Sequence, residues 1–110
     1  MSLKIEAQKY FSFFQEKNLQ SLKKMFDPDV SLKDWLVHAD GCESVLQVNQ
    51  ELFESVDKIR VVVDKIYESE STVIAELMIC IDNEDKFPVV DIIKFNKNNK
   101  IESIVAYRGN

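Results

Sequence analysis

One strand-like segment carries a carboxylate where its pattern predicts an apolar residue. Phe87, Val89, Asp91, Ile93 and Phe95 occupy alternate positions, so their side chains lie on one face of a β-strand. An ionised carboxylate on an apolar face is so costly without a partner that it normally takes up a proton. Asp91 is therefore a candidate functional acid in a pocket, and the alternative is a charge satisfied by a neighbouring lysine or backbone group.

A second carboxylate and a tyrosine have comparable surroundings. Asp34 alternates with Val30, Leu32 and Leu36 in a short predicted strand, and Tyr10 lies in the apolar stripe of the first predicted helix. Proton transfer next to a carbonyl needs an ionised carboxylate and hydrogen-bond donors, which these groups could supply from one cavity. The alternatives are a solvent-facing Asp34 and a core tyrosine whose hydroxyl reaches the surface.

The first half of the chain predicts three helices and one short strand. The first helix has an apolar residue at every third or fourth position from Leu3 to Phe14. Asn18 is the predicted N-cap of a short second helix, and a strand follows over residues 30–37. Asp40 begins a capping-box pattern for a third helix that ends near Val56.

The second half predicts four strands. From residue 58 the apolar period changes to two, and polar breaks of hairpin length separate the later strands. The first of the four strands contains Ile59, Val61 and Val63. The other three are Thr72 to Asp82, Phe87 to Phe95 and Ile101 to Arg108. Helices first and strands afterwards predict a single α+β domain over residues 1–110, with the helices on one face of an antiparallel sheet.

The opposite face of this sheet is also apolar. It would carry Ile74, Met78 and Cys80 from one strand and Val90 and Ile92 from the next. So much apolar surface is unfavourable in water. We therefore expect a homodimer that buries the outer sheet face.

Composition narrows the classes of partner and compartment. A net charge of −5 with scattered acidic residues makes nucleic acid or an anionic membrane an unfavourable partner. Cys42 and Cys80 fit neither a metal site nor a disulfide framework, and no signal-peptide-like or membrane-spanning stretch is present. The expected protein is soluble and cytoplasmic, with no metal, nucleotide or other cofactor.

The order of elements resembles the cone-shaped domain of nuclear transport factor 2 (NTF2-like), and within it the SnoaL-like and ketosteroid isomerase-like branch. Residues 9–19 resemble the opening helix of that family, and Met25-Phe26-Asp27-Pro28-Asp29-Val30 resembles its break into the first strand. Residues 90–96 and 104–108 resemble its final hairpin. The resemblance implies three helices packed on a strongly curved antiparallel sheet, made of a short first strand and a four-stranded meander.

The resemblance also implies roles for the three polar residues. In ketosteroid isomerases an aspartate is the general base, while a tyrosine and a protonated aspartic acid hold the enolate oxygen. These positions match Asp34, Tyr10 and Asp91 of this chain. The implied activity is cofactor-independent isomerisation of a small apolar substrate, since the segment after Asp34 is short and predicts a small cavity. The side chains expected to line this pocket are Phe14, Trp35, Phe87, Val89, Ile93 and Phe95.

Two further interpretations remain. One is a non-catalytic module that binds an apolar ligand or serves for dimerisation, as many members of the superfamily do. The other is a hydratase, dehydratase or cyclase that uses His38 and Asp34 as its acid and base. His38, the only histidine, is otherwise a solvated loop residue, and the last interpretation requires it to share the cavity with Asp34.

Overall fold

The segments whose apolar residues recur with a helical period form three helices, and those with a period of two contribute to a curved six-stranded sheet. The computed structural model describes residues 2–110. The helices are α1 (Leu3–Gln15), α2 (Leu19–Met25) and α3 (Cys42–Ser55). The strands are β1 (Phe26–Lys33), β2 (His38–Asp40), β3 (Ile59–Ser69), β4 (Thr72–Ile81), β5 (Asp85–Phe95) and β6 (Ile101–Arg108). The predicted α+β class is confirmed, as are the three helices and the four-stranded meander.

Helix α1 is amphipathic and ends at a left-handed turn. Lys17 has a φ of 58°, and the backbone N–H of Asn18 donates to the Phe13 carbonyl at 2.9 Å. Asn18 then caps α2 as predicted, because its Oδ1 accepts from the Ser21 backbone N–H at 3.1 Å. The buried side chains of α1 are Leu3, Ala7, Tyr10 and Phe11.

The strands are ordered β2-β1-β6-β5-β4-β3, and the predicted meander runs from β3 to β6. Neighbouring strands are antiparallel except for β1 and β6, which are parallel. The sheet is therefore mixed, whereas the sequence predicted an antiparallel one. A parallel pair needs a long crossover, and here α3 with strands β3 to β5 supplies it.

The strand predicted over residues 30–37 is interrupted. β1 begins earlier, at Phe26, and ends at Lys33, after which the chain turns back so that His38 of β2 pairs with Lys33. The backbone N–H of Asp34 donates to the Val37 carbonyl at 3.0 Å and closes this turn. The prediction of one continuous strand was wrong because a hairpin forms within it.

The N-cap of α3 also differs from the prediction. Asp40 is the last residue of β2, and Gly41 takes the N-cap position without a side-chain hydrogen bond. Gly41 has a φ of +92°, a conformation that glycine adopts readily because it has no Cβ. The predicted capping box at Asp40 is therefore wrong.

The main core lies between the helices and the concave face of the sheet. Helix α1 packs on β3 and β4, and α3 packs on β1, so the two helices cover opposite ends of the concave face. None of the helices within residues 2–110 is both long and apolar enough to cross a bilayer. The largest fully buried side chains are Phe95, Leu22, Ile93, Ile101, Val30, Val45 and Val73.

Candidate functional site

A cavity of about 480 Å³ opens between the helices and the concave face of the sheet. Its walls come from α1, α3, the turn after β1, and strands β3 to β6. The volume falls within the usual range of small-molecule sites, toward its lower end. The cone is therefore not filled by its own side chains, as a pure dimerisation module would require.

The cavity brings together the three polar residues singled out in the sequence. Tyr10 of α1, Asp34 after β1 and Asp91 of β5 all line it. The three groups are close enough to interact electrostatically, since the charge of Asp34 raises the pKa of Asp91 and the charges of both carboxylates raise the pKa of Tyr10. Their catalytic roles remain predictions at this point.

Asp91 occupies the middle of β5 on the concave face. Its cross-strand neighbours are Ala75 on β4 and Ala106 on β6, whose small side chains leave space beside the carboxyl group. Only 8% of Asp91 is exposed. Burial, and secondly the charge of Asp34, raise the pKa of Asp91 from 3.8 to about 7, and no hydrogen bond from the described residues opposes them. Asp91 is thus largely protonated below neutral pH.

Tyr10 is held by aromatic packing. Its ring centroid lies 5.6 Å from that of Phe11, 6.0 Å from Phe14 and 6.3 Å from Phe26. Burial is the main cause that raises the pKa of the Tyr10 hydroxyl, and the charges of Asp91 and Asp34 add to it. The hydroxyl therefore stays neutral and can donate a hydrogen bond to a ligand.

Asp34 is held by its own turn. Its Oδ1 accepts the backbone N–H groups of Leu36 at 2.7 Å and Val37 at 2.9 Å, so the half-buried carboxylate has a defined position at the cavity wall. Leu36 was expected on the same apolar strand face, but it is 82% exposed because β1 ends at Lys33. Asp34 thus reaches the cavity from a turn.

Sequence reasoning missed a fourth polar residue of the cavity. Asn49 lies on the buried face of α3 between Val45 and Phe53, lines the cavity and is only 4% exposed. Its Nδ2 has no hydrogen-bond partner among residues 2–110. The sequence did contain a signal, because Asn49 stands four residues after Val45 and four before Phe53, on a helix face that is otherwise apolar.

The mouth of the cavity carries an aromatic and cationic cluster. The ring centroids of Trp35 and Phe87 are 5.9 Å apart and nearly perpendicular. The guanidinium Cζ of Arg108 lies 4.0 Å from the centroid of Phe87, in cation–π contact. All three residues line the cavity, and Trp35 is 40% exposed. This cluster borders one side of the cavity entrance.

Four of the six residues expected to line the pocket do so: Phe14, Trp35, Phe87 and Val89. Ile93 and Phe95 do not, and that part of the prediction was wrong. They share the concave face with Asp91, but they lie in the core with 0% and 2% exposure. The apolar face of β5 therefore lines the cavity at one end and fills the core at the other.

His38 does not share the cavity with Asp34. It belongs to β2, its side chain is exposed, and its Nε2 lies 3.5 Å from Oδ1 of Asp40. The pair of His38 and Asp34 as acid and base is therefore not supported, because β2 turns His38 away from the concave face. Among residues 2–110, no group of three or more His, Cys, Asp or Glu is placed to hold a metal ion.

Solved structures with the same architecture share little sequence with this chain. A protein assigned provisionally as a ketosteroid isomerase, from Kribbella flavida, has a TM-score of 0.87 at 13% identity over 98% of this chain and 78% of its own. An NTF2-like protein of unknown function from Cytophaga hutchinsonii has a TM-score of 0.83 at 17% identity over 99% and 91%. A protein from Catenulispora acidiphila with a ketosteroid isomerase-like fold, in complex with trimethylamine, has a TM-score of 0.81 at 16% identity over 92% and 82%.

At these identities the structural similarities establish the fold alone. A search of curated proteins finds no match. The family is shown by a sequence model of the SnoaL-like domain, which matches residues 7–104. With nearly its whole length matched, this chain belongs to the SnoaL-like domain family.

Proposed function

We propose that this protein moves a proton next to the carbonyl group of a small apolar substrate, as an isomerase of the ketosteroid isomerase type. The observation that carries the proposal is the convergence of Tyr10, Asp34 and Asp91 on one largely apolar cavity, with the pKa of Asp91 raised to about 7. A carboxyl group held protonated beside a second carboxylate is a recurrent arrangement for acid and base chemistry.

The proposed reaction converts a β,γ-unsaturated ketone into its conjugated isomer. The Asp34 carboxylate takes a proton from the carbon beside the carbonyl, and the electron pair of that C–H bond moves into a dienolate. Tyr10 and protonated Asp91 donate hydrogen bonds to the enolate oxygen, where the negative charge develops. Asp34 then returns the proton to the far carbon of the dienolate. No oxidant, metal or second substrate is required.

Replacing Tyr10 with Phe tests the role of the hydroxyl. We expect Tyr10→Phe to lower turnover of a small β,γ-unsaturated cyclohexenone by about 100-fold, the usual effect of losing one oxyanion donor. Formation of the conjugated product is followed by its ultraviolet absorbance. The ring contacts should keep the variant folded, since they do not use the hydroxyl.

The matched control is Tyr67→Phe. The exposed Tyr67 hydroxyl lies 3.3 Å from Oε2 of Glu76, and Tyr67 does not line the cavity. We expect the control to turn over substrate at the wild-type rate. Equal turnover of Tyr10→Phe and the wild-type protein would contradict the proposed role.

Ligand binding without turnover is the second candidate function. The cavity supports it independently of catalysis, and the structural neighbour from Catenulispora acidiphila is in complex with a small amine. The two candidates separate in one experiment, since a binding module would bind a cyclohexenone without converting it.

We also propose that the protein forms a homodimer through the outer face of the sheet. Val62, Met78 and Tyr107 are exposed at 39%, 37% and 62%, and all three line a hollow on that face. We expect a dimer mass in sedimentation equilibrium and a monomer mass for Met78→Lys, which places a charge in the apolar surface. Ile5→Lys, at an exposed apolar residue of α1, should remain dimeric; a monomeric wild-type protein would contradict the proposal.

A further inference from the structure

The side-chain amide of Asn49 is an unusual feature of the cavity wall. Asn49 is 96% buried, and its Nδ2 has no hydrogen-bond partner among the described residues. Leaving such a group unpaired is unfavourable, and a leucine of similar volume would fit the apolar stripe of α3 without that cost. A hydrogen bond from this amide to a ligand in the cavity would explain why an asparagine occupies the position.

The Asn49 amide does not donate a hydrogen bond to the other buried polar groups of the cavity, Asp91 and Tyr10, since its Nδ2 has no such bond within residues 2–110. Such a bond to the Asp91 carboxylate would lower the pKa of Asp91, whereas burial and the Asp34 charge raise it. Asn49 is thus a separate polar position in the same cavity.

We propose that the side-chain amide of Asn49, which lines the cavity, turns toward a bound ligand and donates a hydrogen bond to one of its acceptor atoms, distinct from the oxygen held by Tyr10 and Asp91. The ligand class is then a small, largely apolar molecule with two hydrogen-bond acceptors, such as a ketone with a second carbonyl, hydroxyl or ether oxygen. This inference rests on the proposed use of the cavity for ligand binding but not on turnover, so a binding experiment can test it alone.

Two phenols of similar shape provide the test. The phenol oxygen mimics an enolate oxygen, and the opposite end of the ring carries a nitro acceptor in para-nitrophenol and a methyl group in para-cresol. We expect Asn49→Leu to weaken para-nitrophenol binding about five- to tenfold, as for one lost hydrogen bond, and to leave para-cresol binding within about twofold. Isothermal titration calorimetry measures both affinities.

Thermal unfolding supplies a second readout that a structural role would move in the opposite direction. Because Asn49→Leu removes an unpaired buried amide, we expect its Tm to rise by about 4 °C or more. Gln50→Leu is the matched control on the same helix, since Gln50 is exposed and donates to Glu54 at 3.1 Å. We expect Gln50→Leu to change neither affinity and to leave the Tm within about 2 °C.

Four outcomes would overturn the inference. The first is unchanged para-nitrophenol affinity in Asn49→Leu, and the second is an equal loss of affinity for both phenols. The third is a lowered Tm, which would show that the amide supports the fold. The fourth is failure of both phenols to bind the wild-type protein. A wild-type protein that binds para-nitrophenol through Asn49 but converts no enone would refute the isomerase proposal and leave this inference standing.

Discussion

Replacing Asp34 with Asn is expected to reduce isomerisation of a β,γ-unsaturated cyclohexenone by on the order of 1,000-fold, because an amide cannot take the substrate proton. The fold should be retained. The Asn side chain keeps an Oδ1 that can accept the backbone N–H groups of Leu36 and Val37, which now bond to Asp34. The measurement is the rate of conjugated enone formation at saturating substrate, with unfolding curves to verify the fold.

Asp40→Asn provides the control for this loss. Asp40 lies on the same hairpin, but it is exposed and does not line the cavity. We expect this variant to retain wild-type turnover. A folded Asp34→Asn protein that isomerises the enone at the wild-type rate would remove Asp34 from the mechanism, whatever the effect of the Tyr10 substitution.

The second large effect concerns stability and pH at Asp91. Its pKa is raised from 3.8 to about 7 in the folded protein, so between these values the folded state holds a proton that the unfolded state has released. The free energy of unfolding therefore falls as pH rises through this window and loses about 4 kcal/mol in total. Asp91→Asn cannot ionise and should not show this loss.

We expect Asp91→Asn to match the wild-type stability near pH 4 and to exceed it by about 4 kcal/mol near pH 8. Urea unfolding across this range measures the difference. Asp85→Asn makes the same substitution at an exposed residue that begins β5, and it is the matched control. A difference that is independent of pH for Asp91→Asn, or one that favours the wild-type protein above pH 7, would contradict the burial argument.

The strand alternation was sufficient to place Asp91 because its register is held from both sides. β5 pairs with β4 and β6 along most of its length, so the side-chain period of two continues without a break around this residue. The apolar period of α1 placed Tyr10 in the same way, with its ring on the buried helix face. Local periodicity decides such positions whenever the element is regular.

Asp34 shows where periodicity stops being informative. The alternation of Val30, Leu32 and Asp34 suggested a strand, but the Asp34 side chain bonds to its own backbone two and three residues on and forms a turn. Polar side chains compete with strand pairing in this way. The turn explains why Leu36 is exposed and why His38 belongs to a separate strand.

Tertiary packing accounts for the remaining differences between the structure and the predictions from the sequence. Ile93 and Asp91 share one face of β5, and only the way the helices cover the cone puts one in the core and the other in the cavity. The parallel pairing of β1 with β6 joins distant segments, so no local pattern predicts it. Asn49 was visible as a polar residue on an apolar helix face, but its unpaired amide required the structure.

A carbon-detected NMR titration of the Asp91 carboxyl group tests the central claim most directly, since the proposed chemistry requires this acid to hold its proton inside the cavity. The resonance is assigned by its absence in Asp91→Asn. We predict a midpoint near the value of about 7 that burial and the Asp34 charge produce. A midpoint close to the ordinary aspartate value of about 3.9 would show an ionised, solvated carboxylate and would contradict the account.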